Sequence, residues 1–208
     1  MSPELTELDD ATRALVRLSA VIAAGSESAV RQSLAEAARL TPPEHVDELV
    51  LQSYLFCGFP RALNAAREWR RVAPSPAPST DEAEQEGMAE EWRERGERTC
   101  AAVYGPMYAK LRLNVRDLHP ALDAWMVQEG YGKVLGRPAL DLPRRELCIV
   151  AACAATGQDR QLHSHLHGAL NVGVPSAVLA QAIDALEDIV GAERGRTVRM
   201  LLARVLGK

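Results

Sequence analysis

Apolar positions recur at helical spacing along nearly the whole chain, and the two-residue alternation of strands almost nowhere. Between residues 9 and 24, Leu15, Leu18, Val21 and Ile22 form one face, and Gly25 ends the run. Ser26 is placed to cap a second helix reaching to about Leu40. Pro42 and Pro43 open a third, which runs to about Cys57 and stops at Gly58. Pro60 starts a fourth that carries Trp69. Residues 73–80, Ala-Pro-Ser-Pro-Ala-Pro-Ser-Thr, hold three prolines and read as an extended linker. A charged, solvated helix is expected over Asp81–Gly96. Further helices are expected around 117–131, 142–156, 158–172, 175–190 and 192–207.

The chain also matches itself. At a constant offset of 132 and without gaps, Arg13 meets Arg145, Leu15 meets Leu147 and Ala20 meets Ala152. Ala23, Gly25, Leu34, Ala37, Pro43 and Val46 then fall on Ala155, Gly157, Leu166, Ala169, Pro175 and Val178. Small and apolar residues coincide by chance more readily than glycine and proline in register do. The pattern predicts an all-α, internally duplicated fold with pseudo-symmetric halves: a first repeat over 1–72, the linker 73–80, and a second repeat over 81–208. The halves differ in chemistry, because Ala14 and Ser33 occupy the places of Glu146 and His165.

Composition narrows the picture. Aromatic residues are only 4% of the chain, so the core must come from Ala, Leu and Val, which suits close helix packing. A net charge of −4 gives no basic stripe for nucleic acid. The N-terminal segment is acidic and lacks an apolar signal segment, and the longest apolar run, 147–155, is far too short to span a bilayer. A cytoplasmic protein without a membrane partner is therefore expected. The four cysteines (Cys57, Cys100, Cys148, Cys153) form neither a CxxC nor a metal spacing. Cys148 and Cys153 would diverge by about 140° around one helix, so buried, reduced thiols are expected rather than a disulfide.

The stretch Leu142-Pro-Arg-Arg-Glu-Leu-Cys-Ile-Val-Ala-Ala-Cys-Ala-Ala-Thr-Gly157, with Gln161-Leu-His-Ser-His-Leu-His-Gly-Ala-Leu-Asn-Val-Gly-Val-Pro175 after it, resembles the core of the carboxymuconolactone decarboxylase and alkylhydroperoxidase-D (AhpD-like) superfamily. Residues 131–141 resemble the segment before that core in the decarboxylase branch, and residues 48–65 the segment after it. The resemblance implies an all-α fold, homo-oligomers (dimer, trimer or hexamer), and a small pocket lined by the core helices. The departures are as informative. Peroxidase-active relatives carry a CxxC at the start of the histidine-bearing helix, and here those positions are Gln158 and Gln161. A thiol at a helix N-terminus is acidified by the helix dipole, which glutamine cannot imitate. The pre-core and post-core segments also lie in different halves, and the second half has no Gly-Phe-Pro.

Glu146 and His165 are the candidate catalytic pair, each on a mostly apolar helix and, by the resemblance, facing one pocket. A carboxylate can fix the tautomer of an imidazole and favour its protonated form, leaving a proton donor near neutrality. Both could equally be buried structural polar groups, or Glu146 could pair with a neighbouring arginine. Gln161, one turn before His165, could orient a substrate carboxylate; Arg137 and Arg145 could hold an anion. Tyr54, Phe56 and Phe59 cluster in an aromatic-poor chain, and the resemblance makes them candidate pocket lining, with Tyr54 and Phe59 foremost. His163 and His167 share a face at i, i+4, yet no third ligand is nominated, so no metal and no cofactor are expected. The expected activity is cofactor-free decarboxylation, or related proton transfer, on a small lactone or carboxylic acid. Two alternatives stand beside it: a thiol redox protein using Cys153, and a non-catalytic small-ligand-binding oligomer.

Overall fold

Glycine, proline and capping side chains divide the chain where the apolar pattern breaks. The computed structural model describes residues 5–207, and most of these are helical. Helices α1 (Asp10–Ala24), α2 (Glu27–Leu40) and α3 (Pro43–Val72) come first. Asp9 caps α1 by accepting from the Thr12 amide at 2.6 Å, and Ser26 caps α2 by accepting from the Ala29 amide at 3.3 Å. The expected break at Gly58 appears as a bend inside one helical run rather than as a gap. Gly58 takes φ 76°, ψ 163°, a region open to glycine, and Pro60 lies in the turn that restarts the helix.

By contact, the described residues up to 76 and from 139 onward cluster as one compact unit and residues 77–138 as another. This differs from the sequence division, in which 81–208 was one repeat. In the first unit, α7 (Leu142–Thr156), α8 (Asp159–Asn171), α9 (Ser176–Asp184), α10 (Glu187–Val190) and α11 (Ala192–Val205) join α1–α3. Its core is aliphatic, built from residues such as Leu15, Leu18, Ile22, Leu34, Leu49 and Cys148 around a wholly buried Trp69. The Trp69 indole N–H is satisfied by Asp47 Oδ1 at 2.8 Å. Helix α1 lies against α7, with the Ser19 hydroxyl donating to the Cys148 carbonyl at 2.7 Å.

The second unit holds α4 (Ala89–Tyr104), α5 (Tyr108–Leu118), α6 (Pro120–Trp125) and a π-helical run, Met126–Leu135. The solvated helix expected over 81–96 is corrected on two counts. It begins at Ala89, and it buries Trp92, Gly96, Cys100 and Val103. Trp92 and three residues at i+4, i+8 and i+11 make a stripe hidden within a strongly charged sequence. The π-helical run packs against that stripe at backbone distance. A Cβ on Gly96 would lie 2.1 Å from the Val127 carbonyl oxygen, and one on Gly132 would lie 2.0 Å from that of Trp92. Helix α5 was not expected at all. None of the described helices is long and apolar enough to cross a membrane.

Candidate functional site

Helix α7 is held at both ends. Asp141 accepts from the Arg144 amide at 3.0 Å, and Gly157 closes the helix in the left-handed region at φ 72°. The Arg194 side chain from α11 binds the carbonyls of Ala154 and Cys153 at the C-terminal end. These anchors present Glu146, one turn in, to α8. There the His165 Nδ1 lies 2.8 Å from Glu146 Oε2, with Glu146 wholly buried and His165 only 5% exposed. The Phe56 ring meets the imidazole edge-on at 5.8 Å between centroids.

One atom stands out. Glu146 Oε1 is enclosed and has no hydrogen-bond partner among the described residues. Buried polar atoms are seldom left so, and a buried acceptor without a donor costs about 1–3 kcal/mol. The pair thus combines a hydrogen-bonded imidazole with a carboxylate oxygen that still has capacity for a proton-bearing group.

The structure separates the other candidates from this pair. Arg145, expected to hold an anionic substrate, is wholly buried and turned the other way. Its guanidinium donates to Glu48 Oε2 at 2.6 Å, to Gln52 Oε1 at 3.1 Å and to the Leu140 carbonyl at 2.9 Å. Adjacent positions on a helix point about 100° apart, so Arg145 and Glu146 serve different faces. Arg137 belongs to the 77–138 unit and makes a two-pronged pair with Asp81, at 2.7 and 3.1 Å. Gln161 is exposed at the start of α8, although one turn from the buried His165. Tyr54 and Phe59 stack on each other at 4.7 Å, with Phe59 62% exposed, while Phe56 is the ring against His165. The signal for Phe56 was available: Glu48, Gln52 and Phe56 follow at i, i+4 and i+8 on one helix face.

None of the four cysteines is in a disulfide. Cys153 is 2% exposed, and burial, with the Glu146 carboxylate adding to it, pushes its thiol up to about 12. That is the opposite of the acidified thiol needed for a nucleophile. His163 and His167 do share a face, their rings 4.9 Å apart, and desolvation holds His167 below the usual imidazole value. No cluster of three or more metal-binding side chains occurs among the described residues.

Two comparisons with known proteins bear on this geometry. A model of the carboxymuconolactone decarboxylase family matches residues 120–203, a span that includes both Glu146 and His165. Over 128 residues the chain is 30% identical to Peroxisomal protein 2 of Schizosaccharomyces pombe. That alignment covers 61% of this chain and 59% of the relative, so the chain spans well under two thirds of the relative's length.

Proposed function

We propose that this protein is a cofactor-free proton-transfer enzyme of the carboxymuconolactone decarboxylase type, acting on a small lactone or carboxylic acid, with His165 as acid and Glu146 as its partner. The observation that carries the reading is the buried Nδ1···Oε2 contact of 2.8 Å, together with the unsatisfied Oε1 beside it. Loss of CO₂ from a carbon vinylogous to a lactone carbonyl breaks one C–C bond and moves its electron pair into a dienolate. A proton must then reach carbon. With Nδ1 engaged by the carboxylate, delivery is assigned to Nε2, and solvent restores the proton after CO₂ leaves. Glu146 Oε1 can accept a hydrogen bond from a substrate acid or hydroxyl, which orients it for the transfer. The thiol alternative has the burial of Cys153 against it. The family match over residues 120–203 favours the lyase class over a bare scaffold.

We further propose that the first unit is a duplicated structure in which one copy keeps the chemistry. Several features support this at the offset of 132. Helix α1, Asp10–Ala24, corresponds residue for residue to α7, Leu142–Thr156, and their caps Asp9 and Asp141 correspond as well. Arg61 binds the Ile22 and Gly25 carbonyls at the end of α1, as Arg194 binds Ala154 and Cys153 at the end of α7. Gly58 and Gly191 share a backbone conformation, φ 76°, ψ 163° and φ 82°, ψ 159°, at a register shifted by one. Counterparts even touch, the Arg144 Nε donating to the Thr12 hydroxyl at 3.0 Å.

A panel of lactone acids, β-keto acids and hydroperoxides, assayed with the wild type and His165→Gln together, tests the function. Turnover of a lactone or keto acid that collapses in the variant supports it. Wild-type-like turnover in His165→Gln removes His165 from the mechanism. Peroxide consumption abolished by Cys153→Ser would replace the reading with thiol chemistry. Saturable binding without any product would favour the non-catalytic alternative.

A further inference from the structure

A concave feature lies on the first three helices, lined by neither Glu146 nor His165. A half-open cleft of about 370 Å³ lies between the C-terminal end of α1, helix α2 and the second half of α3. This volume is within the usual range of small-ligand sites, about 300–1,000 Å³. Four guanidinium groups line it, from Arg31, Arg61, Arg67 and Arg71, against the two carboxylates of Glu27 and Glu68. In a chain of net charge −4, that local excess of positive charge is conspicuous. Ile22, Val30 and Ala65 back the cleft from the core and are at most 8% exposed, so its apolar surface comes chiefly from the arginine stems.

The arginines are not equivalent. Arg61 is fixed by its bonds to the Ile22 and Gly25 carbonyls, at 2.5 and 2.6 Å. Arg31 and Arg71 share one carboxylate, Glu68, at 2.8 and 2.5 Å, and the hydrogen bond from Arg31 holds the Glu68 carboxyl below the usual range. Arg67, exposed on α3, enters no ion pair with these carboxylates within 4.0 Å. Glu27, which acts on Arg31 through its charge, and the shared Glu68 leave the four guanidiniums with an excess of two positive charges, and Arg67 stands beside them. An entering carboxylate would meet Arg67 and the outer edges of Arg31 and Arg71, with its hydrocarbon part along the methylene stems of these arginines.

We infer that this cleft binds a small organic monocarboxylate with an apolar body, at a site separate from the Glu146–His165 pair. Guanidinium is suited to the task, because its planar fork matches a carboxylate and its face tolerates hydrocarbon. The inference does not depend on the catalytic proposal.

Calorimetric titration of the full chain with benzoate and with hexanoate tests it, with inorganic phosphate as the compact comparison. The expected result is saturable carboxylate binding at low salt that weakens as salt is raised. Affinity should fall at least tenfold in Arg67→Glu and by a smaller factor in Arg31→Gln, and should be unchanged in His165→Gln. Both substituted arginines are exposed, so the thermal midpoints of these variants should stay near that of the wild type. Absence of saturable binding overturns the inference, as does binding indifferent to Arg67→Glu. Phosphate bound as tightly as benzoate would show that the hydrocarbon body gains nothing on the arginine stems and overturn the inference too. Binding lost in His165→Gln would move the ligand to the other site.

Discussion

The hairpins α1–α2 and α7–α8 do the same structural work with different interiors. Both begin at a capping aspartate, Asp9 or Asp141, and both have an arginine from a later helix on the carbonyls at the end of the first helix. In α1–α2 the positions matching the polar pair hold Ala14, 5% exposed, and Ser33. In α7–α8 they hold Glu146 and His165. The first hairpin packs without a buried ion pair, so the fold has no need of one. Burying a carboxylate and an imidazole is costly, and their attraction seldom exceeds that cost. A pair kept where packing does not require it is better explained by chemistry than by architecture. The contrast runs the other way at the surface. The arginine-lined cleft lies between the first hairpin and α3, and the place of Arg31 is taken in the second hairpin by His163.

The comparison can be broken most severely at His165. Turnover in His165→Gln should fall by roughly 10²- to 10⁴-fold, the usual contribution of general acid catalysis, while circular dichroism and the melting transition stay close to wild type. A large loss of stability would restore the structural reading. Next comes Arg145, the other buried cation of α7. Arg145→Met removes the charge facing Glu48, and chemical denaturation should register a loss of about 3–5 kcal/mol. The neighbours Arg145 and Glu146 would then divide cleanly into one residue for the fold and one for the chemistry.

A gentler change targets the pair as a pair. Replacing Glu146 and His165 together by Leu roughly keeps volume and removes both polar groups, and should leave stability unchanged or raise it by about 1–4 kcal/mol while abolishing turnover. Marked destabilisation of this double variant would sink the claim that α7–α8 can pack as α1–α2 does. In the 77–138 unit, which has no part in that contrast, Gly132→Ala forces a methyl against the rigid Trp92 carbonyl. A loss of about 1–3 kcal/mol, read as faster proteolysis within this unit, is expected.

The smallest effect concerns pH. Burial raises Cys148 and Cys153 from the usual 9.0 to about 12 in the folded chain. Both thiols stay protonated in the folded state while the unfolded chain begins to release its protons near pH 9. Their contribution is therefore complete below about pH 9 and is lost as pH rises towards 12. Urea midpoints should decline over that window, less steeply in Cys153→Ala. Unfolding midpoints that stay flat from pH 9 to 12 would show that the thiols are more accessible than their burial implies.

Much of this was readable along the chain. Gly25, Ser26 and Pro43 set helix limits that the structure reproduces closely, since capping and glycine conformation are local properties. Helix α5 leaves no signature in the sequence because none of its residues is buried, so it carries no apolar face. The stripe of α4 was obscured by the charges around Trp92 and Cys100. The place of Arg145 is hidden for a different reason. From sequence an arginine has no address, and only the packing of α3 beside α7 brings Glu48 and Gln52, more than 90 residues earlier, onto its guanidinium.

The order of amino acids thus determined where the chain turns helical, where each helix stops, and that one hairpin alone would carry an acid and an imidazole. Tertiary structure decided which groups meet. It placed His165 on Glu146 with Phe56 alongside, turned Arg145 to a different face, and gathered four arginines around a cleft. The physical reason is range. Caps and periodicity act within a turn or two of backbone, whereas a buried polar contact exists only once distant helices have excluded water between them.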